Sequence, residues 1–360
     1  MRLPETMHAM VTTGHGDLDQ MVWHENWPRP DPAPGEVLIR VGACGLNNTD
    51  VNTRTGWYSK AVTEATTGGA YESVLEEDPT WGAAPIHFPR IQGADICGEI
   101  VAVGQGVAPA RIGERIISDN WLRDAGDPDN INKTGYFGSE RDGGFAQFTT
   151  LPAANAIAVR SDLTDAELAT FSCSYSTAEG MLTRAAVTSA DTVLVPGASG
   201  GVGGALMQLA RLRGARVIAL ASEAKHSDVA AFGPDLILPR APDNLRAALG
   251  QEKITVVADV VGGGYWPELV DCLERGGRYV CSGAIAGPMV QLDLRTLYLR
   301  DLTFFGSTVI APEITQAIAR YIEDGAIKPA LAATFPLREL HAAQTAFIAK
   351  AHTGNIVVVP

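Results

Sequence analysis

Paired cysteines are missing from this chain. Cys44, Cys97, Cys173, Cys272 and Cys281 are odd in number and scattered, with no CxxC among them. That pattern supports neither a disulfide framework nor a zinc ribbon, and reduced thiols are expected. Positive charge is also short: 28 Lys and Arg stand against 41 Asp and Glu, a formal charge of −13. Such a surface repels a phosphate backbone and argues against nucleic acid as a partner. No stretch reaches the roughly 18 apolar residues of a membrane helix. The start, "MRLPETMHAMVTTGHGDLDQ", lacks a basic region followed by an apolar run, so a cytoplasmic protein without a membrane partner is expected. What is present is 360 residues, 46% of them hydrophobic. That length suits two domains at the usual roughly 100–200 residues each.

From Met7 to about Pro152, short apolar runs are broken by Gly and Pro: "EVLIRVGACGL" (36–46), "ICGEIVAVGQGV" (96–107), "ERIISD" (114–119) and "GFAQFTTLP" (144–152). This punctuation predicts an antiparallel β domain. Past Ser161 the texture changes. "DLTDAELATFS" (162–172) predicts a helix capped by Asp162 or Thr164. Strand-like "TVLV" (192–195), "RVIAL" (216–220), "LILP" (236–239), "VVADVV" (256–261) and "GRYVCSG" (277–283) then alternate with helical segments. Alternation of this kind predicts βαβ units on a doubly wound parallel sheet. "APEITQAIARYIEDG" (311–325) reads as a further helix, and "GNIVVVP" (354–360) as a closing strand able to rejoin the first domain. The expected class is α/β, with a β-rich domain from 1–156 and 311–360 and a dinucleotide-binding domain from 157–310. Residues 59–87, with Trp81, and 121–143, with Tyr136 and Phe137, are long, polar and aperiodic. They read either as lids over a site or as surface insertions.

The most informative stretch is "VLVPGASGGVGGALMQLARLRGARVIALASEAK" (193–225). A helix N-terminus offers unpaired N–H groups and a positive dipole end, which hold a phosphate if the backbone can come close. Ala198, Gly200 and Gly203 occupy the three small-residue positions of the dinucleotide fingerprint, with Ser199, Gly201 and Val202 between them. The next strand ends at Ala221, where an Asp or Glu would grip the ribose hydroxyls of NAD. Ser222 stands there instead, followed by Glu223, Ala224 and Lys225. A hydroxyl and an ammonium suit a 2′-phosphate and favour NADP(H). Glu223 turned toward the ribose is the alternative.

With "GEVLIRVGACGLNNTDVNTRTGWY", "FPRIQGADICGEIVAVGQGV", "DGGFAQFTTLP", the glycine loop, "VVADVVGG" and "GNIVVVP" in this order, the chain resembles the medium-chain dehydrogenase/reductase superfamily nearly end to end. The resemblance implies a GroES-like catalytic domain, a Rossmann domain inserted before the C-terminal segment, and a cofactor in the cleft between them. It puts the backbone of Ser282, Gly283 and Ala284 beside the nicotinamide and makes Asp259 a structural acid. Gly306 and Ser307 fall near a dimer contact, which suggests a homodimer. Ser176 and Thr177 are expected to begin a helix, either reaching cofactor phosphate or capping it.

Zinc alcohol dehydrogenases of that superfamily hold a Lewis-acid metal with Cys, His and Cys. Here Asn47 of "GLNNTD" stands in the first place, Ala94 of "GAD" in the second, and only Cys173 matches. Oxygens from Asp95 and Asn47 do not make up the set, and His87 reads as a solvated loop residue, so no metal is expected. The absence of cysteine between Cys97 and Cys173 removes the structural zinc lobe too. These variants look like the zinc-independent, quinone oxidoreductase-like branch. The expected reaction is therefore NADPH-dependent reduction of an enone or quinone-type small molecule. Asn47 and Thr49 would polarise its oxygen, with Tyr58 or a lid aromatic covering it. Asp50 reads as structural, with general-acid catalysis the alternative, and Cys173 as a small buried group or a cleft-lining one. A metal-free carbonyl reductase or alcohol dehydrogenase, and an NADPH-binding protein without turnover, remain as other readings.

Overall fold

The computed structural model describes residues 3–75, 78 and 85–360. Trp81 lies outside the described residues. The chain divides into two compact units, one of Met1–Val62, Thr67–Cys173 and Thr315–Pro360, the other of Thr63–Thr66 and Ser174–Ile314.

In the first unit the main sheet runs Ala156–Ala158, Arg115–Ser118, Asp95–Val103, Glu36–Gly45, Asn355–Val359, Leu331–Pro336, with Phe148–Pro152 also paired to Glu36–Gly45. Its pairs are antiparallel except Leu331–Pro336 with Asn355–Val359. The closing strand of the chain therefore completes the unit in which the chain begins. Glu36–Gly45 is the central strand, and its Val37, Leu38, Ile39, Ala43 and Cys44 are fully buried, which explains its near-continuous apolar run. Its register sets Gly45 opposite Asp95. Asn47, two residues beyond, thus emerges next to the start of the neighbouring strand.

The second unit is a six-stranded parallel sheet in the order Leu236–Pro239, Arg216–Ala221, Thr192–Val195, Ile254–Asp259, Leu273–Cys281, Thr303–Gly306. The chain winds outward from Thr192–Val195 in one direction, then outward from Ile254–Asp259 in the other, so the strand order reverses between these two. Ligands of open α/β sheets bind at the carboxyl ends of the strands at such a reversal. Val193, Leu194 and Val195 are fully buried, and Leu194, Ile218, Leu220, Ile254 and Val257 share one apolar cluster with Trp266 and Leu269. Among the described residues no helix is long and apolar enough to cross a membrane.

Four expectations are corrected or narrowed. The chain passes to the second unit after Cys173, later than the 156/157 division, because the helix Asp165–Leu168 packs on strands Glu36–Gly45 and Asp95–Val103. Thr164, rather than Asp162, caps that short helix through a reciprocal pair with Glu167. The next helix spans Ser172–Arg184, so Ser176 and Thr177 lie inside it and neither opens nor caps it. Finally, the two ends of the 121–143 segment are not surface insertions. Trp121–Leu122 pairs with Gly135–Tyr136, and Trp121, Tyr136 and Phe137 are buried.

Candidate active site

In the first unit, Asn47 leaves the central strand and precedes the helix Asn48–Thr55. Asp50 holds this corner: one carboxylate oxygen accepts from the Asn47 N–H at 2.7 Å and the other from the Gly93 N–H at 3.2 Å. That satisfies an orphan donor of the helix start and ties it to the "GAD" turn. Asp50 is structural in this geometry. It orients backbone rather than Asn48, whose side chain accepts from Lys350.

The Asn47 side chain is buried and donates from Nδ2 to Asp95 Oδ2 at 2.9 Å. Asp95 is fully buried, and its other oxygen accepts from Asn120 Nδ2 at 2.9 Å and from the Cys173 N–H at 2.7 Å. Asn120 Nδ2 also donates to the Tyr136 hydroxyl at 3.1 Å, which meets the Cys173 thiol as well. Thr49 belongs to a second pair, since the Tyr58 hydroxyl hydrogen-bonds to Thr49 and Asn52. The structure thus joins Asn47 to Asp95 and Thr49 to Tyr58. Burial pushes the Asp95 carboxyl up to about 6, against the hydrogen bonds from Asn47 and Asn120. Burial, with the charge of Asp95 adding to it, pushes Asp50 up to about 7. The phenols of Tyr58 and Tyr136 are raised by burial too.

These residues do not fit a zinc ion. Asn47 turns its amide nitrogen, a donor and not a ligand, toward Asp95. Ala94 has nothing to offer, and both Asp95 oxygens are engaged by N–H groups. Among the described residues no cluster of three or more His, Cys, Asp or Glu is placed to hold a metal, and His87 is exposed.

In the second unit the candidate cofactor residues other than Thr177 follow the carboxyl ends of strands of the sheet. The strand Thr192–Val195 leads into the turn and the helix Gly201–Leu212. Gly197 has φ +67°, a left-handed turn that a side chain would strain. A Cβ on Gly203 would stand 2.4 Å from the Gly197 carbonyl oxygen, so Gly203 is needed for packing. Gly200 is different. Its φ of −81° suits any residue, and a Cβ there would meet only the Gly197 oxygen at 3.6 Å. Neither backbone nor packing requires a glycine at that helix start, which leaves a cradle open to a phosphate group.

Ser222 follows the end of Arg216–Ala221, and Lys225 lies a turn later. Ala221 pairs with Pro239, so Arg240 follows the neighbouring strand end beside Ser222. Burial lowers the Lys225 ammonium and Arg240 pushes the same way, opposed by Asp228. Asp259 accepts from Tyr279 Oη at 2.7 Å and from the N–H groups of Val261 and Gly262, the behaviour of a structural acid. Ser282, Gly283 and Ala284 follow the strand Leu273–Cys281 on the same edge. Thr177 is half-buried within the helix Ser172–Arg184.

Sequence reasoning missed Asn120, which falls between the strand-like run 114–119 and the aperiodic segment, and Arg240, which belongs to no motif; Tyr136 was singled out only as an aromatic of that segment. Ala198 was placed at the first small-residue position of the fingerprint, and the left-handed residue is its neighbour Gly197. The Pro196–Gly197 dipeptide is a turn signal that would have located it.

Residues 33–161 match the family described as alcohol dehydrogenase GroES-like domain, and residues 201–323 the family described as zinc-binding dehydrogenase. The chain is 46% identical to a candidate alcohol dehydrogenase from Sinorhizobium meliloti 1021 of known crystal structure. That match covers 99% of this chain and 98% of the other, at a TM-score of 0.89. A cobalt- and zinc-bound thermostable alcohol dehydrogenase from Pyrobaculum aerophilum is 30% identical over 98% of this chain and 99% of its own, at a TM-score of 0.81. The acryloyl-coenzyme A reductase of Metallosphaera sedula is 27% identical over 345 residues, 93% of this chain and 94% of that protein.

Proposed function

We infer that this chain, which belongs to the medium-chain dehydrogenase/reductase superfamily, is an NADPH-dependent oxidoreductase that reduces an activated alkene or a quinone without a metal. The observation that carries this reading is the Asn47–Asp95 hydrogen bond in a buried network of amides, a phenol and carboxylates whose donor set does not suit zinc. The acryloyl-coenzyme A reductase supports the substrate class by its name, since it acts on an activated alkene. The metal-bound Pyrobaculum enzyme marks the point of departure.

The bound cofactor supplies the hydride. When hydride reaches the β-carbon of an enone, the electron pair moves to the carbonyl oxygen, and stabilising that developing charge is what the protein contributes. Asn47 provides an amide N–H. The Thr49–Tyr58 pair provides hydroxyl donors whose phenol stays protonated, because burial raises it. Ala198 to Gly203 would hold the pyrophosphate, and Ser222, Lys225 and Arg240 the 2′-phosphate. The partner is a small molecule. A second copy of the chain would pair along the free edge of the strand Thr303–Gly306.

A second reading, reversible and metal-free dehydrogenation of an alcohol, draws on the description of the Sinorhizobium relative. The two separate by assay. Oxidation of NADPH by methyl vinyl ketone or p-benzoquinone, lowered at least tenfold in kcat by Asn47→Ala, is expected; tenfold is about 1.4 kcal/mol of transition-state stabilisation. Alcohol-dependent reduction of NADP with neither acceptor turned over would replace the first reading by the second.

A further inference from the structure

An amide and a carboxylate differ in what they can offer. An Asn side chain has a donor end and an acceptor end that swap on rotation, whereas an ionised carboxylate only accepts. Asp95 Oδ2 faces the Asn47 amide at 2.9 Å, so the nitrogen of that amide must face inward. One N–H is thereby engaged and the second is left as a donor of fixed direction. Asp95 is itself immobile: Asn120 Nδ2 and the Cys173 N–H hold its other oxygen. Asn120 is oriented in turn, since its nitrogen also reaches the Tyr136 hydroxyl while its oxygen faces Ser118 Oγ at 2.8 Å. Tyr136 is seated edge-on against Trp121. Burying a carboxylate in this way is costly, and a neutral amide would cost less but, with its oxygen held by the Asn120 and Cys173 N–H groups, would turn a donor toward Asn47 and reverse that side chain.

We propose that Asp95, backed by Asn120 and Tyr136, is a positioning residue that locks the Asn47 amide so that its second N–H is the one presented to the substrate oxygen. The inference rests on the role given to Asn47 above and goes beyond it. It assigns the orienting task, which a metal performs by fixed coordination, to a hydrogen-bonded chain running from Tyr136 to Asn47. The geometry required of a preorganised donor is supplied before the substrate arrives.

A double-mutant cycle with NADPH and methyl vinyl ketone tests this. Asp95→Asn keeps the shape but puts a donor where the Asn47 nitrogen needs an acceptor, so it reverses the constraint on the amide. It should lower kcat about tenfold with KM changed less than about threefold. In an Asn47→Ala background the same change should cost less than about twofold, because the group it positions is gone. Tyr136→Phe keeps the ring and removes only the hydroxyl. It should give a smaller loss that likewise vanishes in the Asn47→Ala background, and it decides the matter alone if Asp95→Asn does not melt cooperatively. Losses that add fully in the Asn47→Ala background overturn the positioning role and leave the role of Asn47 standing. An Asn47→Ala protein with unchanged kcat overturns both.

Discussion

Two buried carboxyls set the residue-scale behaviour of the first unit. Asp50 and Asp95, pushed up by burial to about 7 and about 6, lie well above their ordinary 3.8. A carboxyl raised by folding binds more protons in the native than in the unfolded chain between those values. Its contribution therefore favours folding at low pH and is lost as pH rises from about 4 through 7. The unaltered protein should lose more stability between pH 5 and pH 8 than Asp50→Asn does, measured by denaturant unfolding at each pH. An equal loss in both would mean that the Asp50 carboxyl is not raised. On the carboxyl edge of the second unit, Lys225 and Arg240 are the cations beside Ser222. Removing both, by Lys225→Ala with Arg240→Ala, should raise the KM for NADPH at least tenfold and leave that for NADH within about twofold, since charged hydrogen bonds contribute about 1.5–3 kcal/mol each. Asn47 was legible from its motif. Asp95 was legible only as a poor metal ligand, because its partners Asn120 and Tyr136 sit far along the chain, one just before and one inside the segment without periodicity.

At the scale of elements, the glycine loop separates two roles that the sequence pattern merges. Gly203→Ala places a methyl 2.4 Å from backbone oxygen and should destabilise the fold by about 1–3 kcal/mol through overpacking. Gly200→Ala meets no such obstacle. It should melt near the unaltered protein while weakening NADPH binding at least tenfold, as read by fluorescence titration; unchanged affinity would remove the phosphate from that cradle. Strands were legible because parallel strands buried on both faces read as continuous apolar runs, as in Val193 to Val195. The start of Ser172–Arg184 was not, because "SCSYSTAEG" offers hydroxyls at several positions and the true first turn carries no acidic residue.

At the scale of the whole molecule, the two-unit organisation was visible in the change of texture after Ser161. Its boundary was displaced because a short capped helix, Asp165–Leu168, belongs with the strands before it. The long polar segments were the least legible part of the chain. One of them contributes Tyr136 to the candidate site, and a polar, aperiodic stretch announces neither its burial nor its partner.

The central claim is that hydrogen bonds, rather than a metal, stabilise the charge that develops on the substrate. Its most direct test is NADPH oxidation with methyl vinyl ketone by protein dialysed against a strong chelator, before and after adding zinc, with metal content measured in parallel. Full turnover in metal-free protein, unchanged by zinc, is the predicted result. Activity lost on dialysis and restored by stoichiometric zinc would contradict the account, and would mean that Cys173 and Asp95 belong to a metal site.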